Sequence, residues 1–407
     1  MGSRPQRPAG PGLLVVLLGA VGAGPLLLYG LSATSDRIIG DLGIDEAQFG
    51  LLATVCFACA AIGNATLARL ADRNSDLTLM TVVFLLSASA LSLAAVPAGY
   101  WMLLVAVGIS GFAQSFPNGV TNRILLERVP AQRRIGWVGV KQSGVQVSQL
   151  TASLIFPLLA LAVGWRGAAL ATTLLPLVLL VLMWRSLRSV PLLPEPQEVS
   201  AEPAPAPEDG HRQVRRYPGI VWVLAAFGLL NGIGVQATNV YMPLFAVREL
   251  DFSLVLGGVT AAVAGAVGVI ARVGWARVMA RGASGPLVLL TLGLLAFAGA
   301  ACFYGAWATG WAALLWTAVA LHGISALGVS VVVMSALMRV IPSASMASAS
   351  GIVTAGLFAG FAAGPVAMGA IISSPGGFQL GWVAVGAVYL VCAALAAVLI
   401  RRVRRSG

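Results

Sequence analysis

Apolar residues in this chain are gathered into long blocks, with polar residues concentrated in the short stretches between them. A helix crossing a bilayer core about 30 Å thick needs roughly twenty apolar residues. On that ruler the blocks lie at 13–34, 49–68, 77–97, 101–122, 136–161, 167–186, 218–240, 254–275, 285–306, 311–333, 347–372 and 381–400. The pattern predicts an all-α membrane protein with twelve transmembrane helices, here called spans 1 to 12. One interruption is long: "LRSVPLLPEPQEVSAEPAPAPEDGHRQVRRYP" carries proline and acidic residues throughout and has no core to fold around. It divides the chain into an N-terminal six-helix half (1–186), a Pro/Glu-rich linker (187–217) and a C-terminal six-helix half (218–407).

Composition agrees with lipid as the solvent. The 407 residues are 58% hydrophobic and 10% charged, against roughly a quarter charged in soluble domains. The net charge of +11 does not point to nucleic acid, because the basic residues sit in short runs between apolar blocks and form no water-facing patch. Arginine placement reads instead as topology. On one side lie the runs at the N-terminus, the 2–3 and 4–5 loops, the linker, the 8–9 turn and the C-terminal tail. The other side has only Arg37, Arg166 and Arg248. By the positive-inside rule both termini are cytoplasmic, and the basic, apolar N-terminus is an uncleaved first span. Cys56, Cys59, Cys302 and Cys392 all lie within apolar blocks and imply neither a disulfide framework nor a metal site.

The halves also repeat one another. Slid along the chain, Gly50, Ala68, Arg69 and Arg73 meet Gly258, Ala276, Arg277 and Arg281; further on, Gly111, Pro130, Gly139 and Gly144 meet Gly323, Pro342, Gly351 and Gly356. Two parallel six-helix repeats are the arrangement of one large transporter class. With its twelve spans, its long central linker and the 2–3 loop "ARLADRNSDL", the chain resembles the major facilitator superfamily over essentially its whole length. Ala68, Asp72 and Arg73 match the start of that family's loop signature. Ser75 and Asp76 depart from it, and the second-half copy keeps Arg281 but has Ala280 in place of the acid. The resemblance implies that this loop latches the halves on the cytoplasmic side, with Asp72, Arg73 and Arg281 as gating residues. The alternative is that the arginines only anchor the loop. The helix-4 arginine of the family's drug/proton antiporter branch would fall at Val107, and that branch's glycine-proline signature in span 5 is missing. In span 11, Gly356, Gly360 and Gly364 recur every four residues beside Pro365 and predict a ridge for close helix packing.

Ionisable groups inside the membrane are candidate functional residues. All 14 acids fall in loops or at span edges, which argues against a cationic substrate. Every basic residue is arginine except Lys141, about 9 Å into span 5. With Gln142, Gln146, Ser148, Gln149 and Ser153 it occupies an arc of about 160°, a polar face suited to the bundle interior. A lysine at this depth can also snorkel to the headgroups. Span 4 offers Gln114, Asn118 and Asn122 at i, i+4 and i+8 beside Pro117, and spans 1 and 7 contribute Tyr29, Ser32, Asn231, Gln236 and Asn239. Each of these alternatively bonds a neighbouring helix. His322, about 16 Å into span 10, is either the carrier of a coupling proton or a neutral core histidine. Arg272 reads as an anchor at the cytoplasmic end of span 8.

These residues point to a secondary, alternating-access transporter of a small organic solute, anionic or polar rather than cationic, active and ion-coupled or else driven by the solute's own gradient. The expected substrate-binding set is Lys141, Gln142, Gln146, Gln114, Asn118, Tyr29, Asn231 and Gln236. A drug or antibiotic exporter with a hydrophobic cavity is the alternative. No P-loop and no H-E-x-x-H is present, so no cofactor, metal or enzymatic activity is expected. The expected protein is a monomer with a small-molecule substrate, a coupling proton and no nucleic-acid partner, in the inner membrane of a bacterium.

Overall fold

A computed structural model describes residues 10–66, 73–189, 219–341 and 343–406, and every regular element among them is helical. Linker residues 190–217, Asp72 and its loop neighbours Ala68 and Arg69, and Pro342 lie outside the described residues.

Among the described residues ten helices are long and apolar enough to cross a membrane, or eleven if one bent pair is a single span. One of them, the run Gln132–Ser189, has 58 residues, far more than the roughly twenty that one crossing needs. It holds spans 5 and 6, and the total becomes twelve. Gly164, with φ 73 and ψ 165, divides the two in a backbone conformation that only glycine adopts readily.

Several spans are broken at similar depth. Span 1 is α1 (Pro11–Ala23) and α2 (Leu26–Ala33), bent by 60° at Gly24–Pro25, where proline supplies no backbone donor. The short α3 (Ser35–Leu42) leads to span 2, α4 (Glu46–Thr66), and span 3 is α5 (Asp76–Ala94). Span 4 is α6 (Gly99–Phe112) and α7 (Pro117–Arg128), with Pro117 in the first turn of its helix, where no donor is lost. Span 5 is α8 (Ala131–Gln142) followed by α9 (Gly144–Thr172), which continues past Gly164 into span 6, completed by α10 (Leu174–Ser189). The continuous helix expected across 136–161 is therefore interrupted at Ser143. Gly144 meets α1 there so closely that a methyl group on it would lie 3.0 Å from Val21 Cβ. The first linker residues, 187–189, belong to α10.

Spans 7 to 9 are α11 (Gly219–Glu249), α12 (Leu254–Ala280) and α13 (Gly285–Thr309). Span 10 is α14 (Ala312–Ile324), a 3₁₀ turn at Ala326–Gly328 and α15 (Val329–Val340); α16 (Ser343–Ile372) and α17 (Gly377–Ser406) complete the bundle. The span-11 glycines pack as their spacing predicts. A methyl on Gly356 would lie 2.5 Å from the Ala225 carbonyl, and Gly360 and Gly364 press on the carbonyls of Leu229 and Ile233. On the far side of α11, Phe245 and Phe303 pack around Trp382, with the Phe303 ring stacked 4.2 Å from it.

The halves meet along two seams, α4 against α16 and α9 against α12. Toward the face opposite the termini both seams are tight: Gly50 presses on the Pro365 carbonyl, Gly369 on that of Glu46 and Gly258 on that of Ser153. Arg248 closes this face by pairing with Asp36 at 2.8 Å and Glu46 at 2.5 Å, and the Ser373 hydroxyl bonds the same Glu46 carboxylate at 3.1 Å. Nearby, the Trp165 indole N–H and the Arg166 guanidinium hold the Asp41 carboxyl below the usual carboxylate range. Toward the termini, by contrast, Gly139 and Gly351 face open space. The bundle is thus shut at one face and parted at the other.

Candidate substrate-binding cavity

The helix breaks surround a cavity of about 200 Å³ between the halves, and Pro25, Gln114, Pro117, Val145, Ala326 and Leu327 from those breaks line it. Breaking a helix frees carbonyl groups that the protein must satisfy in another way. Ser110 donates to the Gly24 carbonyl at 2.6 Å, Asn231 to that of Ala326 at 3.3 Å, and Arg272 to that of Leu327 at 3.1 Å.

Of the expected substrate-binding residues, Tyr29, Gln114, Asn118, Gln146, Asn231 and Gln236 lie on the cavity wall, joined by Asn239. Lys141 and Gln142 do not. The break at Ser143 splits the polar face expected of a continuous helix, and Gln142 becomes exposed while its carbonyl receives Arg272 Nη1 at 3.3 Å. Lys141 is 0% exposed, so it does not snorkel. Its ammonium donates to Thr121 Oγ1 at 2.7 Å and to the Asn118 carbonyl at 3.4 Å, fastening α8 to α7 behind the wall.

The cation on the wall is Arg272, the one charged residue among the described lining residues; no carboxylate is among them. Its Nε and Nη1 are held by carbonyls from opposite halves, Leu327 and Gln142, and Nη2 has no partner among the described residues. Reading Arg272 from sequence as an end-of-helix anchor missed this position. A signal was available: Gly258, Gly265 and Gly268 of α12 face span 5 or the cavity side, and Arg272 follows Gly268 by four residues, on the same helical face. The aromatic part of the wall, Phe57, Phe358 and Phe361, was likewise not singled out.

Buried polar atoms without partners gather around the same space. Among the described residues they include Gln146 Oε1, Gln236 Oε1 and Asn239 Nδ2 on the wall, and Gln149 Oε1 next to it. An orphaned buried group costs about 1–3 kcal/mol, so the cluster is suited to water or a polar ligand. His322 lies behind this layer, with Nε2 3.0 Å from Asn239 Oδ1; the same oxygen accepts from Gln149 at 3.3 Å. Because that oxygen accepts on both sides, His322 donates through Nε2. The chain Gln149–Asn239–His322 links spans 5, 7 and 10 and hence both halves.

The expected gating residues stand apart. Arg73 and Arg281 are exposed at the termini-bearing face, and Asp72 lies outside the described residues. Asp76, where the family signature has a basic residue, pairs with Arg123 of α7 at 2.5 Å, and Arg123 also bonds the Asn74 carbonyl at 3.0 Å. Arg339 of α15 holds the 8–9 turn in the other half through the carbonyls of Ala283 and Met279.

A sequence profile of the Major Facilitator Superfamily matches residues 12–352. The chain belongs to that superfamily. Its members are transporters rather than enzymes, and this chain is a multi-pass membrane transporter. A "putative metabolite transport protein" of Haemophilus influenzae is 32% identical over 142 residues, a match that covers 35% of this chain and 34% of that relative. The fold is similar to that of a bacterial homologue of the human lysosomal transporter Spinster, captured inward-facing and occupied. That structure has a TM-score of 0.77 at 15% identity, with 98% of each chain covered. A D-xylose–proton symporter gives 0.74 at 17% identity, covering 94% of this chain and 96% of that one. The nucleoside transporter NupG gives 0.69 at 15%, covering 95% and 99%.

Proposed function

We infer that the protein is an ion-coupled, alternating-access transporter of a small organic solute, anionic or polar rather than cationic. The observation that carries this reading is Arg272, the one charge on a central wall whose other polar groups are amides and hydroxyls. A cation on that wall attracts an anion and repels an organic cation, and the unpartnered amide atoms fix its orientation. Lys141, one hydrogen bond behind Asn118, adds positive potential without touching the solute. His322 carries the coupling proton, and it senses the cavity through Asn239. With the arginine-rich face cytoplasmic in a bacterial inner membrane, the described state is open to the cytoplasm and shut outside. Asp72, Arg73 and Arg281 latch the parted face when the halves rock over. The working unit is the monomer. The metabolite, sugar and nucleoside transport named for its relatives supports a small solute as cargo.

A second reading, export of hydrophobic drugs, draws on Phe57, Phe358 and Phe361 in the same wall. The two are separated by thermal stabilisation of purified protein with small carboxylates, sugars, neutral drugs and organic cations. A ligand that binds only the native state raises Tm by mass action. Carboxylates are expected to stabilise wild type and to lose that effect in Arg272→Gln. Stabilisation by neutral drugs alone, equal in both proteins, would overturn the anion reading in favour of export.

A further inference from the structure

The two seams present different chemistry to the cavity. At the α4–α16 seam the wall is Phe57, Leu357, Phe358 and Phe361. The Phe361 ring lies 5.2 Å from that of Phe57 and 5.7 Å from that of Phe358. These contacts form one continuous aromatic surface that spans both halves. At the α9–α12 seam the wall is Gln146 and Arg272. Spans 1, 4, 7 and 10, with their amides and hydroxyls, lie between the seams. The cavity therefore has a cationic side and an aromatic side.

Resting on the reading of an anion site at Arg272, we propose that the cargo is a monocarboxylate with an aryl or comparable apolar body. Its carboxylate lies at the α9–α12 seam and its ring against Phe57, Phe358 and Phe361. Arg272 is already oriented by two backbone carbonyls from opposite halves, so its free nitrogen meets a carboxylate with little entropy left to lose. A second carboxylate on the cargo would face the aromatic surface, where the wall offers it no cation, and would be buried unpaired. A short aliphatic acid would leave the ring surface uncovered and lose its apolar burial. A neutral polar solute would give the guanidinium no counter-charge and forgo that attraction. Contact with Arg272, itself bonded to the Gln142 and Leu327 carbonyls of opposite halves, and with Phe57 and Phe361 at the other seam also makes the ligand a bridge between halves.

The test uses the full-length protein in detergent and four probes: 3-phenylpropanoate, its amide, propanoate and pentanedioate. Affinity is read from the concentration dependence of Tm. The phenyl acid is expected to bind at least tenfold more tightly than each of the other three. Arg272→Gln should weaken it about 10- to 100-fold, the range of a charge-assisted hydrogen bond, and bring it level with an amide whose own affinity is unchanged. Phe361→Leu should weaken the phenyl acid several-fold and leave propanoate alone. Saturable binding of the amide by Arg272→Gln and of propanoate by Phe361→Leu, each with a cooperative melt, verifies that the variants are folded, and Arg272→Lys should restore part of the preference for acid over amide. Pentanedioate or propanoate binding as well as the phenyl acid, with dependence on Arg272, overturns the inference and leaves the anion site standing. Acid and amide binding equally in wild type and Arg272→Gln overturns both. Binding of none of the four overturns the inference, because its ligand class is represented among them.

Discussion

Arg248 carries the ion pairs that join the halves at the face opposite the termini, and its removal should open that face in a measurable way. Arg248 at the end of α11 pairs with Asp36 on α3 and with Glu46 at the start of α4, so both bonds join the halves and both must break when that face opens. The arms are unequal. Arg248 and Asp36 are 31% and 36% exposed, and such a pair is worth about 0.5 kcal/mol after solvent screening. The Glu46 carboxylate is 17% exposed and also accepts from Ser373, which brings that arm to about 1.5 kcal/mol. Arg248→Ala therefore removes about 2 kcal/mol from the state in which this face is closed, a shift of about 30-fold in the conformational equilibrium.

Gln236 lines the cavity and is 3% exposed in the closed state, so a cysteine there reports opening. In a background lacking Cys56, Cys59, Cys302 and Cys392, Gln236→Cys is labelled with a membrane-impermeant maleimide from outside. Adding Arg248→Ala should raise the initial rate by up to about 30-fold, and Arg248→Lys by much less. Raising ionic strength should narrow the difference, since half-exposed pairs are screened. A rate within twofold of the parent would refute the assignment of Arg248 as the lock on this face.

Three further outcomes follow from individual contacts. Gly360→Val should lower Tm through about 1–3 kcal/mol of overpacking, because Gly360 lies against the Leu229 carbonyl, with Ile233 N 2.9 Å from where its Cβ would be; an unchanged Tm would contradict this packing. Lys141→Met should leave ligand affinity within about threefold and Tm equal or higher, since a well-packed apolar replacement of a buried charge is often neutral or stabilising; a larger loss of affinity would place the lysine in the cavity in another state. His322→Gln should abolish solute-driven proton movement in vesicles and spare solute exchange, and proton movement persisting at wild-type level would assign the coupling elsewhere.

Span number, the six-plus-six division and the packing ridge of span 11 were legible because each rests on a long or repeated pattern. The site was legible in composition but not in membership. Amides on spans 4, 5 and 7 stood out as polar residues in apolar blocks, and six of them lie on the wall. Lys141 stood out for the same reason, yet at 100° per residue it stands about 140° round the helix from Gln146, and its ammonium bonds Thr121 and the Asn118 carbonyl behind that wall. Helical periodicity assumes an unbroken helix, and a serine before a glycine does not announce a break as a proline does. Arg272 was hidden by the opposite error. An arginine near a cytoplasmic helix end satisfies the positive-inside rule, so its charge needed no second explanation. Only the glycine face leading to it, which brings α12 against α9, shows that this end of the helix borders the space between the halves.

The contrast between the two cations also gives a physical reason for the single lysine. The site behind Asn118 offers two acceptors, the Thr121 hydroxyl and the Asn118 carbonyl, in a space without solvent exposure. Thr121 in turn donates to the Pro117 carbonyl at 2.5 Å, so its oxygen is free to accept. An ammonium is a compact charge whose three donors rotate to suit such a site; a guanidinium brings five donors in a rigid plane and would leave several unpaired. Arg272 has the reverse need, because its planar fork reaches carbonyls on two different spans and still keeps a nitrogen for the cavity. Lys141→Arg should therefore lower Tm and disturb the α7–α8 contact, and Arg272→Lys, which gives up one of its two carbonyls, should act mainly by weakening the ligand. The two conservative exchanges fail in opposite ways because one cation fastens two helices together and the other faces the cargo.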